Sequence, residues 1–161
     1  MREMVLNQML VIEYPDSFHE LSEKERKELN TQGSGRWDGL TDPKRHIMLT
    51  FGWEKTGGLI SLLLRSRDLA SGTERRIRRP MKQFGYRLEG FIKRDIAGKQ
   101  ADGFRYTYRA SDIDMFGESL VLKYGRTVYY LHLYGREKLR KETLKAWEGI
   151  LASVKEKRKT E

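Results

Sequence analysis

The chain has 161 residues, no cysteine and a formal net charge of +9. That length suits one domain over 1–161 whose core needs no disulfide or metal staple, and the lack of thiols excludes disulfide, thiolate-metal and cysteine redox chemistry. Charge is uneven: residues 1–54 carry 7 Lys/Arg against 10 Asp/Glu, or −3, and residues 55–161 carry the remaining 25 against 13, or +12.

Leu10 to Tyr14 is a short apolar run stopped by Pro15-Asp16, and it reads as a first, edge strand. Ser22-Glu23-Lys24-Glu25 is a capping box that starts a short charged helix over Ser22 to Leu29. Asn30 to Gly39 reads as a loop anchored by Trp37. Its Gly33-Ser34-Gly35 piece lacks the lysine and strand-to-helix context of a phosphate loop, so it is read as a turn. His46 to Glu54 is a strand with Ile47, Leu49, Phe51 and Trp53 on one parity. Leu59 to Arg65 is short enough for helix or strand, and its straight-chain residues favour helix. Asp68 to Gly72 is expected to break it. Ser71 or Thr73 then caps a second segment, Glu74 to Lys82, limited by Pro80.

Gly85 to Asp95 is the next strand, and Ala97-Gly98-Lys99 a turn. In the stretch Gly103 to Tyr134, Phe104, Tyr106 and Tyr108 alternate with Arg105, Thr107 and Arg109, the period of a strand. Leu120 and Leu122 alternate in the same way, and Tyr124-Gly125-Arg126 turns the chain back as a hairpin. The run Thr127 to Tyr134 is apolar or aromatic on both parities, which places it centrally in a sheet covered on both faces. Arg136 to Lys155 is a long helix, with Leu144, Trp147, Leu151 and Val154 on one stripe and Leu139, Thr143 and Ile150 beside it. Fully burying Trp147 and Leu151 alone contributes about 3–6 kcal/mol. Lys155 to Glu161 reads as a frayed charged tail.

No catalytic or metal constellation stands out. His19, His46 and His132 are scattered without the i, i+4 spacing of a ligand pair. Asp112-Ile113-Asp114 lacks the further ligands of a calcium loop and reads as a turn. No cofactor is implied. Two polar positions do stand out. Glu118 shares a parity with Phe116, Leu120 and Leu122, so it either faces the core and needs an arginine or tyrosine partner, or turns outward at a bulge near Gly117. His132 lies in the central strand and reads as a satisfied core or cross-strand residue. The run from Arg75 to Lys82 holds Arg75, Arg76, Arg78, Arg79 and Lys82, five cations in eight residues, with Ile77 and Met81 as an i, i+4 apolar pair. It is a patch for phosphates or an acidic partner, or a solvated face paired to nearby carboxylates.

Several loose motifs are similar to the PsbP-like superfamily, which includes a photosystem II extrinsic subunit, a Ran-binding nuclear import factor and bacterial DcrB-type proteins. They are Tyr14-Pro15-Asp16-Ser17-Phe18, Gly98-Lys99-Gln100-Ala101 with Phe104-Arg105-Tyr106, the hairpin Lys123 to Tyr130, and the helix end Ile150-Leu151-Ala152-Ser153-Val154. The likeness covers nearly the whole chain. It implies an α+β fold: an α/β/α sandwich with one central antiparallel sheet, helices on both faces and a long C-terminal helix. It implies proteins that bind other proteins or assist assemblies, and no shared active site.

The expected function is therefore a non-enzymatic binding domain with a protein partner, acidic if the charge is the guide. Nucleic-acid binding through residues 75–82 is the second reading, and a small-ligand pocket between the sheet and residues 59–82, lined by Trp53 and tyrosines, the third. No stretch approaches the roughly 20 apolar residues of a membrane span. The N-terminus lacks the basic region, clean apolar segment and cleavage site of a signal peptide. A cytoplasmic location without a membrane partner is the expectation.

Overall fold

The computed structural model of the protein describes residues 1–29, 36–57 and 63–158. Asn7 and Gln8 take positive φ, 51° and 56°, and fold β1 (Arg2–Leu6) back on β2 (Leu10–Tyr14). Asn tolerates this backbone well, and neither residue is the glycine that normally announces such a turn. β1 is thus a strand the sequence did not announce. β3 (His19–Glu20) leads into α1 (Glu23–Leu29). The capping box holds as expected: Ser22 N–H donates to Glu25 Oε1 at 3.0 Å and Glu25 N–H to Ser22 Oγ at 3.1 Å.

β4 (Arg36–Asp42) takes in the described end, Arg36 to Gly39, of what reads as loop. Its pairing with β5 (Ile47–Lys55) overrides the weak strand propensity of Asp38 and Gly39. The helix expected over Leu59 to Arg65 falls mostly outside the described residues, as does Gly33-Ser34-Gly35; Arg65 is extended. The break expected at Asp68 to Gly72 does not occur. α2 runs unbroken from Ser66 to Met81. Asp68 sits in the first turn and accepts from the Arg65 amide at 3.3 Å, so it starts the helix rather than ending one. The Thr73 hydroxyl donates back to Leu69 O at 2.8 Å, the mid-helix bond of a threonine rather than a cap.

β6 (Arg87–Ile96), β7 (Lys99–Ala110), β8 (Ile113–Tyr124) and β9 (Thr127–Arg136) form the expected meander. Ala97-Gly98 and Ser111-Asp112 have positive φ at both positions, the turn geometry that matches strand twist. α3 (Arg140–Ala152) follows, then β10 (Lys155–Glu156). The tail expected to fray from Lys155 instead begins with this short strand. The large sheet has the order β3-β4-β5-β9-β8-β7-β6, so β9 is its central strand as its two-sided apolar pattern predicts. A second sheet, β1-β2-β10, makes β2 a middle strand rather than an edge.

The two faces of the large sheet are covered differently. On one, Phe116, Leu120, Leu122, Tyr129, Leu131 and Leu133 pack on Trp147 and Leu151 of α3 and on Leu10 and Ile12 of β2. On the other, α2 sets Ala70 on Val121 and Val128. Gly103, between β6 and β8, marks the tightest approach: a Cβ there would lie 2.0 Å from Ser119 O and 2.7 Å from Leu120 Cδ2. We expect Gly103→Ala to force β7 from β8 and cost about 1–3 kcal/mol. Gly149→Ala, in α3 with open space around the position, should gain about 0.5–1 kcal/mol. Thermal and urea melts of the two variants check both signs.

Candidate functional site

Cross-strand register assigns the polar residues to faces. Glu118 of β8 lies opposite Arg105 of β7 and Leu133 of β9, and it points to the α3 side. It is fully buried. Arg94 of β6 donates through Nε at 2.7 Å and Nη2 at 3.0 Å. Arg105 donates through Nε at 3.2 Å and Nη2 at 2.8 Å. The Trp147 indole N–H donates to Oε2 at 2.6 Å. Burial alone would raise the Glu118 pKa. The hydrogen bonds from Arg94 and Arg105, the Arg94 charge and Trp147 outweigh it and hold the carboxyl below its usual range. Every acceptor position is spoken for, so the group clamps β6, β7, β8 and α3 and has no free lone pair for chemistry. No bulge turns Glu118 outward. The irregularity in this region falls instead between Leu88 and Gly90 of β6.

His132 lies opposite Ser119 and Thr50, on the α2 side of the sheet. Glu118 and His132 therefore sit on opposite faces and form no common site. Ser119 Oγ and His132 Nδ1 are 2.7 Å apart. Ser119 is fully buried, so this pair offers no accessible nucleophile. Burial, then the Arg76 charge, pushes the His132 pKa down to about 4 and keeps the ring neutral at physiological pH. Of the sheet tyrosines, Tyr106 and Tyr129 are buried, whereas Tyr108, Tyr130 and Tyr134 are half-buried around His132 on the α2 side. Tyr130 O–H donates to Glu54 Oε1 at 2.8 Å.

The basic run is the outward surface of α2. Ala70, Thr73 and Glu74 are buried, and Ile77 and Met81 are half-buried one and two turns on, the stripe expected of an amphipathic helix. Arg75, Arg76, Arg78, Arg79 and Lys82 are all exposed. Arg78 pairs with buried Glu74, donating through Nε at 2.9 Å, and Tyr86 O–H donates to the same carboxylate at 2.8 Å. Those bonds hold Glu74 below its usual pKa and use it up. Arg75, Arg76, Arg79 and Lys82 form no ion pair among the described residues. Phe84, Leu88 and Phe91 are exposed beside this helix, Phe91 at 55 %. Phe91 touches the ring of Phe104 edge-on, and cross-strand register puts Leu88 opposite Tyr106, on the α2 side.

The remaining sequence candidates are structural. Asp112 takes φ 64° in its turn, and Asp114 pairs with Arg109 at 3.0 Å. No group of three or more His, Asp or Glu side chains is placed to hold a metal among the described residues. Trp53, expected to line a pocket beneath residues 59–82, lies instead on the α3 side of β5, packed against the main core. Sequence reasoning left Arg94, Arg105 and Trp147 unassigned as partners of Glu118. The β7–β8 register finds Arg105, and the placement of β6 and α3 against the sheet finds Arg94 and Trp147; no single-strand pattern supplies either.

No family model matches the chain, and no curated protein matches it in sequence. Solved structures do. The chain is similar to the PsbP of the cyanobacterium Synechocystis sp. PCC 6803 (CyanoP), with a TM-score of 0.69 and 11% identity over 97% of this chain and 92% of that one. It is similar to LpqN of Mycobacterium tuberculosis at a TM-score of 0.59 and 14% identity, over 92% of this chain and 83% of that one. It is also similar to PA94 of Pseudomonas aeruginosa, at 0.52 and 16% over 99% of both. The protein has a PsbP-like α+β fold, as the sequence resemblance implies.

Glu118 and His132 predict separate acid transitions. Glu118→Gln leaves Arg105 without its carboxylate and Arg94 with only Glu148 at 3.7 Å, and should cost about 3–5 kcal/mol near neutral pH. The folded pKa of Glu118 is depressed, so its contribution is present above the unfolded value near 4.5 and is lost as pH falls through the folded one. His132 is also depressed, from 6.5 to about 4. The unfolded chain binds that proton first, so stability declines as pH drops from 6.5 towards 4. Melting temperatures measured against pH should show the upper slope vanish in His132→Gln and persist in the wild type.

Proposed function

We propose that the protein is a non-enzymatic, cytoplasmic binding domain that engages an acidic protein partner through the outward face of α2. The observation that carries this reading is the basic surface without counter-ions. Arg75, Arg76, Arg79 and Lys82 are exposed and form no ion pair among the described residues, although Arg76 donates to Thr73 Oγ1 at 3.2 Å, while the adjoining Glu74 carboxylate is taken by Arg78 and Tyr86. Phe84, Leu88 and Phe91 stand beside them. Aromatic anchors next to arginine are the residue types that carry protein–protein affinity, and the cations would steer an acidic partner. The PsbP-like fold supports the reading, because the resemblance implies partner binding without a shared active site. Cell envelope biogenesis, in which LpqN is involved, belongs to that protein.

The half-buried row of Tyr108, Tyr130, His132 and Tyr134, with Arg76 near it, favours nucleic acid as the second reading, since bases stack on such rings. Glu54 on Tyr130 weakens it. A ligand cavity between α2 and the sheet has less support, because Ala70 packs directly on Val121 and Val128. Fluorescence anisotropy with a labelled poly-glutamate peptide, a labelled single strand and a labelled duplex, at low and physiological salt, separates these. We expect the peptide to bind. Ser at Arg75, Arg76, Arg79 and Lys82 together should weaken it about tenfold or more, and Phe91→Ala should weaken it with little change in salt dependence. Binding of nucleic acid alone that survives physiological salt would move the protein to the second class.

A further inference from the structure

A concavity of about 390 Å³ lies between α1 and the paired ends of β4 and β5. Trp53, Arg36 and Asp38 line it from one face of the β4–β5 pair, with Glu23, Arg26 and Lys27 of α1; Trp37 is paired with Gly52 on the other face, and its carbonyl accepts from Arg26. It shares no residue with the α2 patch. That volume falls at the lower end of small-ligand sites, and planar apolar walls with a few polar groups are what such sites are made of.

The donors here are poorly served by the protein itself. Arg26 Nη1 reaches Trp37 O at 3.4 Å and Asp38 Oδ1 at 3.3 Å, both long bonds. Arg26 Nε and Trp53 Nε1 are buried with no partner, two of the three such side-chain atoms among the described residues. An unpaired buried donor is costly, and both of these belong to one wall system and call for an acceptor. Arg36 is exposed at the rim and forms no ion pair among the described residues. Lys27 meets Glu23 only at 3.8 Å. Burial, against the pull of Arg26, holds Asp38 above its usual pKa, so the guanidinium serves it weakly. Three cations against two carboxylates leave one net positive charge in the pocket. α1 buries none of its residues, so this side of the pocket is the one least held in place.

We propose that this pocket binds a monoanionic carboxylate carried on an apolar or aromatic body. The carboxylate takes the orphaned N–H donors of Arg26 and Trp53 with the charge of Arg36, and the body lies against the Trp53 indole. The carboxylate can come from a free small acid or from a peptide, and the same experiment tells these apart.

Indole N–H signals of the three tryptophans in a ¹⁵N-labelled chain give the readout. Phenylacetate is titrated against its neutral isostere phenylacetamide, and then against a short peptide ending in Phe, with a free or an amidated terminus. We expect the Trp53 signal to shift saturably with phenylacetate and hardly at all with phenylacetamide, while Trp147, bonded to Glu118, stays still. Trp53→Phe removes a donor that has no partner, so it should keep the melting temperature yet weaken phenylacetate about tenfold. Arg36→Gln, at an exposed position, should weaken it in the same direction and stands in if Trp53→Phe fails to fold. A free-terminus peptide that binds more tightly than phenylacetate identifies a chain end as the source, and equal binding identifies a free acid; both support the pocket. An equal response to phenylacetamide overturns the proposal, as does no response of Trp53 to any of the acids.

Discussion

Glu118 is the constraint around which the sheet is arranged. A carboxylate buried between strands is expensive unless several donors reach it, and here they come from two sheet strands and one helix. Arg94 and Arg105 approach from β6 and β7, and the Trp147 indole from α3. A slip of β7 by one residue would move Arg105 to the other face and leave the charge uncompensated. The cluster therefore specifies register and helix placement more than it adds stability, since a well-packed apolar replacement of all its members is often as stable. Its tightness also leaves the carboxylate no free lone pair.

That arrangement divides the molecule by face. The α3 side is closed by the small sheet and by Trp147, which stacks on Phe51 at 6.5 Å. The α2 side is held by fewer apolar contacts, and its outer surface is cationic. The pocket beside α1 is a separate matter, built at the β4–β5 end from side chains whose hydrogen-bonding capacity the fold leaves open.

Local pattern carried much of the fold. The Ser22–Glu25 box, the two-sided apolar run of β9 and the Trp147 stripe are each decided within a few residues, and each stands as read. What failed depended on distant partners. β4 looks like loop because Gly39 is needed where Leu21 packs: a Cβ would lie 2.4 Å from Leu21 Cδ1. β1 was missed because Asn7 and Gln8 turn the chain without glycine. α2 was divided because Asp68 and Gly72 look like breakers until Asp68 is seen at the helix start. For Glu118, parity gave the direction of the side chain, but its donors lie 13, 24 and 29 residues away. His132 was legible as a satisfied residue, although its partner Ser119 was not.

The pairing of β10 with β2 has a consequence for how the chain acquires this shape. Lys155 sits opposite Val11 and Glu156 opposite Leu10, and the Lys157 amide donates to Met9 O at 2.8 Å. Ser153 Oγ also accepts from the Glu13 amide at 2.8 Å. Contacts over so great a separation carry a large loop-closure cost and form slowly. During synthesis the β1–β2 hairpin must wait, with Leu6, Leu10 and Ile12 uncovered, until residues beyond 150 have left the ribosome. The meander from β6 to β9, all local hairpins, can assemble well before that. Completion of the fold is thus a late event that joins the first strands made to the last, and the interval before it is when this protein is most exposed to aggregation and proteolysis.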